Sequence, residues 1–415
     1  MAEAIAAVAA KVHEALPHWS PELTPRLLQQ AAQGGLHLGV PAMVTWLSLA
    51  VCDMPGASAA LQQWRRALAA MPPDERDALP RLLRRRDHLA AEILQEARLA
   101  PDAAAAAREA LADANREQAL ENLAANPGSY PAAVAVVTLA PRQGSSTSRA
   151  ATQEIPRILV QGWFDSPMPD DVLDLTRSWA HHHPDWEHRL FDTASASAWI
   201  DDHLGAVATR TFLSAPPVGK SNLFRYAYLS LIGGVWSDAD DRAIACIAPL
   251  TRGRSFVMMQ ESIGAIADNF LAVAPGHPVL AATRDEAFHN AGDGFGESQW
   301  LANGPGVLTR HVAAWLTVGR PDIDYVIASG SELSKFVAMH EPLAYKETDQ
   351  AWDVPSDAND LAAEHWLHPW QSPVPLSQRQ RALLDASGPT ALEKAPPSRW
   401  PRGRAGRAAG RPRAT

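Results

Sequence analysis

Residues 219–241 read GKSNLFRYAYLSLIGGVWSDADD, and the rest of the chain is interpreted outward from them. From Lys220 to Ile232, Leu223, Phe224, Tyr226, Ala227, Leu229, Leu231 and Ile232 recur at helical spacing, with Asn222 and Arg225 one turn apart on the same side. Gly233 and Gly234 supply the stop, because glycine adopts the left-handed conformation of a helix end without steric cost. The next residues read as a short strand in which Val235 and Ser237 share one face and Trp236, Asp238 and Asp240 the other. Two carboxylates then sit side by side at a strand end, just beyond an aromatic ring. Like charges that close are costly unless a cation or a proton lies between them, so Asp238-Ala239-Asp240 is a candidate site for Mn²⁺ or Mg²⁺. Such an ion commonly completes its shell with water and phosphate oxygens, which points to a nucleotide substrate. Taken alone, the motif also reads as two carboxylates on a solvated turn.

The stretch resembles the sugar-transferase block of nucleotide-sugar glycosyltransferases that carry an Asp-x-Asp motif. These include fungal mannosyltransferases, bacterial capsule and lipopolysaccharide enzymes and, more distantly, large clostridial glucosylating toxins. The family pattern is a Lys-Ser/Ala-Asp-Leu-x-Arg-Tyr helix, then Gly-Gly-hydrophobic-Tyr, then Asp-x-Asp. It is met here by Lys220, Ser221, Leu223, Arg225, Tyr226, Gly233, Gly234, Val235, Asp238 and Asp240. Two positions depart from it: Asn222 stands where the family usually has aspartate, and Trp236 where it usually has tyrosine.

The resemblance extends from about residue 154 to 371 and implies an α/β domain of GT-A type, with a Rossmann-like mixed sheet and a nucleotide site at the strand ends. It implies that Asp240 binds the metal directly and that Asp238 binds sugar or ribose hydroxyls, and the metal through water. Arg225 would donate to the sugar or diphosphate, Asn222 would face the sugar, and Trp236 would wall the donor pocket. Ile155 to Trp163 reads as a buried opening strand. It resembles the family's first strand, after which Trp163 is either a platform for the nucleotide base or a core tryptophan. Asp192, after the second strand, is placed near the nucleotide. The resemblance continues through Pro275-Gly276-His277-Pro278 and through Asn303-Gly304-Pro305, similar to an acceptor-side Thr-Gly-Pro loop. It ends at Glu364-His365-Trp366-Leu367-His368-Pro369-Trp370, similar to a closing element that folds over the diphosphate. His365 is the candidate third metal ligand, His368 a second candidate, and Trp370 a candidate donor-binding residue; Mn²⁺ accepts imidazole more readily than Mg²⁺.

Ahead of this domain, residues 1–140 are rich in Ala, Leu, Arg and Glu at helical spacing, broken by Pro72-Pro73, Pro101 and Pro127. They read as an all-α region of helical hairpins, faintly repeat-like, that either packs on the catalytic domain or offers a groove to a protein partner. Residues 141–153 have the composition of a flexible linker, 154–375 form the transferase-like domain, and Ile244–Leu250 reads as a strand returning from the site. Residues 394–415 form a basic tail with seven Lys or Arg and no acid.

The net charge of −9, with the tail set aside, leaves a strongly acidic body and excludes a nucleic-acid binder. No run of eighteen apolar residues and no signal-like N-terminus is present. Cys52 and Cys246 lie far apart, and Cys246 reads as core. A cytoplasmic enzyme is the resulting expectation, with export as an effector as the alternative. His181, His182, His183 and His188 read as a solvated loop, because consecutive imidazoles diverge and Pro184 makes a turn. Gly219-Lys220-Ser221 imitates a P-loop but lacks its first glycine, Ser214 standing there, and Pro216 and Pro217 remove amide donors that phosphates require.

The expected activity is metal-dependent, retaining transfer of a hexose from a UDP- or GDP-hexose donor to a saccharide or protein acceptor. Two rivals remain open at this point. One is a transferase-like binding protein that has lost turnover, with its helical region recruiting partners; Asn222, which keeps an acceptor but loses the charge, is its main support. The other is a haloacid-dehalogenase-type phosphatase, which lacks its long apolar strand before the motif.

Overall fold

The computed structural model describes residues 39–79, 86–144, 154–164, 166–292, 299–318, 324–339, 341 and 343–347. Among the described residues seven helices come first: α1 (Gly39–Ala50), α2 (Met54–Ala70), α3 (Pro73–Asp77), α4 (Asp87–Ala97), α5 (Pro101–Ala112), α6 (Arg116–Ala125) and α7 (Tyr130–Thr138). Pro73 and Pro101 sit in the first turns of α3 and α5, where a missing N–H costs nothing, and Pro127 lies in the turn between α6 and α7. Asp53, Asn115 and Ser129 cap α2, α6 and α7 through side-chain oxygens.

The α/β domain follows in the order β1 (Gln143–Gly144), β2 (Ile158–Gly162), α8 (Asp170–His182), β3 (Glu187–Phe191), α9 (Thr193–Leu204), α10 (Ala206–Ser214), α11 (Pro217–Leu231), β4 (Gly234–Ser237) and β5 (Arg242–Ala243). It continues with α12 (Ala248–Thr251), β6 (Phe256–Gln260), β7 (Ile266–Val273), α13 (Pro278–Gly292), α14 (Gln299–Asn303), α15 (Pro305–Thr317), β8 (Tyr325–Ser329), α16 (Gly330–Leu333), β9 (Val337–Ala338) and a 3₁₀ turn, Ala344–Glu347. Seven strands form one sheet in the order β1-β8-β6-β7-β4-β2-β3, and β5 pairs with β9 separately. β2 is parallel to β3 and β4, and β6 is parallel to β8, whereas β7 runs antiparallel to both β4 and β6. This is the mixed α/β sheet that the sequence leads one to expect, preceded by helices.

Strand alternation divides the core. Val160, Trp236, Met258 and Leu271 face the layer of α11, α13 and α15, while Leu159, Val235, Val257 and Ala272 face Trp179 of α8. The N-terminal helices share the first of these cores. Tyr130 of α7 meets Trp300 edge-to-face at 5.5 Å, and Arg310 of α15 lies 3.5 Å from Glu96 of α4. The helical region thus closes one face of the sheet, which its own amphipathic pattern requires.

Three expectations are corrected. The stretch 141–153 is not wholly a linker: Gln143 and Gly144 pair antiparallel with Val326 and Tyr325, and Arg142 bonds Gln260 at 2.6 Å. Its polar composition hid a two-residue edge strand whose partner lies far along the chain. Ile244–Leu250 is not a strand; β5 ends at Ala243, Cys246 is exposed, and α12 begins at Ala248. Of the four histidines, His181 and His182 end α8, but His183 is buried and stacked on Trp179, its Nε2 accepting from the Ile247 amide at 3.0 Å. It pins α8 to the segment after β5.

His277 sits in the corner before α13, 5 % exposed, between Phe256 and Trp315, and among the described residues neither ring nitrogen has a hydrogen-bond partner. Burial pushes its pKa down from 6.5 to about 4. The unfolded chain therefore takes up a proton near pH 6.5 that the folded chain refuses until near pH 4. Stability should be full above pH 6.5 and fall as pH drops through that window, by up to about 3 kcal/mol. Urea unfolding of wild type and His277→Phe at pH 7.5 and 4.5 checks this: the variant should lose markedly less stability on acidification.

Candidate active site

The helix α11 runs from Pro217 to Leu231, and Gly233 and Gly234 then take φ of +72° and +111°. Only glycine suits them: a Cβ on Gly234 would lie 2.7 Å from the Ile158 carbonyl oxygen. The close approach lays β4 against β2. The C-terminal ends of the parallel strands β2, β3 and β4 therefore lie together, and Asp238 and Asp240 follow the end of β4.

Asp238 is held on several sides. Its amide donates to the Asn269 carbonyl at 2.9 Å, and its carbonyl accepts from Gln161 Nε2 at 3.2 Å. Its Oδ1 accepts from Trp236 Nε1 at 2.8 Å and from Arg225 Nη2 at 2.7 Å. Oδ2 accepts no hydrogen bond from the described residues and is available to a ligand. Burial pushes this carboxyl up to about 6, Arg225 opposing and the charges of Asp240 and Asp268 adding to the push. The side chain is 32 % exposed, so solvent screens part of that effect.

Arg225 is 2 % exposed and clamped between two carboxylates: Asp238, and Asp268 of β7, whose Oδ2 lies 2.6 Å from Nη1. Asp268 also accepts from the Tyr226 hydroxyl at 2.9 Å. The guanidinium lies 5.1 Å from the centre of the Trp236 ring. Arg225 is expected to reach the donor, but it is placed behind Asp238 and orients that carboxylate. Trp236 likewise does not wall a pocket; it is fully buried and serves Asp238 through its indole N–H.

Asn222, buried one turn before Arg225, donates from Nδ2 to Asn303 Oδ1 at 3.3 Å. This joins α11 to the end of α14, and Gly304 next to it packs against the same amide. Trp163, half-buried beyond β2, is brought to the carboxylates' end of the sheet, with its N–H donating to Ser166. Asp192 is spent elsewhere: it forms a capping box with Ser195 at the start of α9. His365, His368 and Trp370, and the basic tail, lie outside the described residues.

Asp240 is engaged by residues that sequence reasoning missed. Its Oδ2 accepts from the Tyr345 hydroxyl at 2.6 Å and lies 2.6 Å from the Lys346 ammonium. Nothing local in the sequence marks these two, which come from the 3₁₀ turn about a hundred positions on. Asp268 did carry a signal, as an acid inside the otherwise apolar strand Ile266–Val273 must find a partner.

The residues fit a hard cation. Asp240 already pairs with a positive charge, the Lys346 ammonium, and Asp238 keeps a carboxylate oxygen without a donor among the described residues. Among the described residues no cluster of three His, Cys, Asp or Glu is poised to hold a metal, and Asp238 and Asp240 are the carboxylates that follow the end of β4. Among the described residues no helix is long and apolar enough to cross a membrane.

The chain is 26 % identical over 151 residues to the initiation-specific alpha-1,6-mannosyltransferase of Schizosaccharomyces pombe, covering 31 % of this chain and 38 % of that one. It is 26 % identical over 126 residues to inositol phosphoceramide mannosyltransferase 3 of the same organism, covering 30 % and 35 %. The chain thus spans well under half the length of these relatives. Among solved structures it is similar to the PaToxG glycosyltransferase, at 14 % identity and a TM-score of 0.34, over 48 % of this chain and 78 % of that one. Residues 169–257, from α8 through the carboxylates to β6, match the glycosyltransferase sugar-binding region containing a DXD motif, and the chain carries that motif as Asp238-Ala239-Asp240.

Proposed function

We propose that this protein is a metal-dependent, retaining glycosyltransferase that moves a hexose from a UDP- or GDP-hexose to a saccharide or protein acceptor. One observation carries the reading: the two carboxylates of the DXD motif stand at the C-terminal end of parallel strands, where α/β folds bind nucleotides, with Arg225 locked behind Asp238. Asp240 and Asp238 would hold Mn²⁺ or Mg²⁺, which when bound would supply positive charge to stabilise the leaving diphosphate. Asp238 presents its outward oxygen to the donor because Arg225 and the Trp236 indole occupy the other. Trp163 supplies a flat apolar face for the base. Asn222, tied to Asn303, presents a neutral amide where a carboxylate would repel a charged group. The protein works in the cytoplasm on this reading, with N-terminal helices that complete the catalytic core.

The names of its relatives put a mannose donor first in a screen of GDP-mannose, UDP-glucose, UDP-galactose and UDP-N-acetylglucosamine, run with Mn²⁺ and with chelator. Metal-dependent release of one nucleotide, abolished by chelator, is the expected result. Absence of both turnover and calorimetric donor binding would overturn the reading in favour of a partner-binding protein.

A further inference from the structure

Residues 341 and 343–347 are fastened to Arg242, to Asp240 of the DXD loop and to Trp163 by side-chain contacts. Arg242 Nε lies 3.3 Å from Glu341 Oε1. Lys346 Nζ lies 2.6 Å from Asp240 Oδ2 and donates to the Glu341 carbonyl at 3.0 Å. The Tyr345 hydroxyl donates to the same Asp240 oxygen, and the Tyr345 ring stands edge-on to Trp163, 5.0 Å between centres and 86° between planes. A lysine side chain only 7 % exposed, aimed at one carboxylate oxygen, is a costly arrangement unless that charge needs a counter-ion.

A divalent ion on Asp240 would sit roughly 2.1 Å from a carboxylate oxygen. The Lys346 ammonium on the same carboxylate would then face a double positive charge at a separation where repulsion is strong even in a partly solvated site. The two cations exclude one another. The Tyr345 hydroxyl shares that Asp240 oxygen with Lys346, so an ion seated there competes with it as well, and the Tyr345 contact with Trp163 depends on the same anchor.

We propose that Lys346 is the resident counter-ion of the donor-free site, and that a divalent cation displaces it from Asp240, withdrawing Tyr345 from Trp163 and freeing the indole face for the donor base. This rests on the glycosyltransferase reading and adds two residues to its donor site. Metal and base binding become linked through one turn: an ion that loads Asp240 also clears Trp163. A purely structural lysine would weaken the site when removed, whereas a competing lysine strengthens it.

The test is a Mn²⁺ titration of the full chain followed by electron paramagnetic resonance, without any sugar donor. Wild type, Lys346→Met, Asp240→Ala, the double variant, and Lys335→Met as a control for net charge are compared. Lys346→Met should bind Mn²⁺ about tenfold more tightly than wild type, Lys335→Met should stay within about twofold, and the gain should vanish in the double variant. On the unaltered chain, Mn²⁺ should accelerate amide exchange in residues 343–347, a readout that depends on no variant folding. If wild type binds Mn²⁺ through Asp240 and Lys346→Met binds no more tightly, the inference fails while the transferase reading stands. If no variant binds Mn²⁺, both the inference and the metal-dependent reading fall.

Discussion

Arg225→Met should lower the free energy of unfolding by about 3–5 kcal/mol, the usual cost of removing one partner from a buried ionic cluster. The guanidinium is almost wholly buried and neutralises two carboxylates at once, Asp238 at 2.7 Å and Asp268 at 2.6 Å. Methionine fills much of the volume but leaves both acids facing each other without a cation. Asp268, 11 % exposed in β7, cannot reach water without a shift of the strand. Arg225→Lys keeps the charge but cannot span both carboxylates with a rigid planar fork, and should fall between wild type and methionine. Urea denaturation at pH 7.5 orders the three proteins. A loss below about 1 kcal/mol for Arg225→Met would mean that the cluster is solvated and does not organise the site.

Asp240→Ala should leave the fold standing and remove the chemistry. Its carboxylate lies outside the strand ladder at the sheet's end, and its described contacts run to the 3₁₀ turn rather than into the core. Stability should fall by about 1–3 kcal/mol, because the Lys346 ammonium, 7 % exposed, loses its carboxylate but keeps the Glu341 carbonyl. Donor turnover should drop by a factor of about 100 or more, because a preorganised charge at the leaving group is lost. The substitution also removes one of the charges that hold the Asp238 carboxyl up, so that carboxyl moves back towards its ordinary range. Nucleotide release and circular dichroism on the same samples check both halves; turnover within about threefold of wild type would show that Asp240 is not at the reacting diphosphate.

Much of the site's frame was legible because it is local. Helical spacing over Lys220–Ile232, two glycines and a strand ending in two acids depend on neighbours within a few residues, and α11, the left-handed Gly233 and Gly234, and β4 appear where that pattern puts them. Pro101 and Pro73 opened helices for an equally local reason, the absence of an amide donor. Failures came where an element owes its form to a remote partner. Gln143 and Gly144 look like linker and become a strand because β8 is there to pair with them. His183 looks like loop and becomes core because Trp179 and the Ile247 amide close around it.

By itself the sequence determined the α/β class, the helix–glycine–strand unit and the two carboxylates at its end, since each follows from side-chain periodicity and backbone sterics read along the chain. Only the tertiary structure decided what those groups face. Arg225 pairs with Asp268 from β7, Asn222 with Asn303 from α14, and Asp240 with Lys346 and Tyr345 from the 3₁₀ turn. A buried charge or amide must be matched somewhere, but its partner is chosen by how the strands and helices pack, and that choice has no signature in the residues beside it.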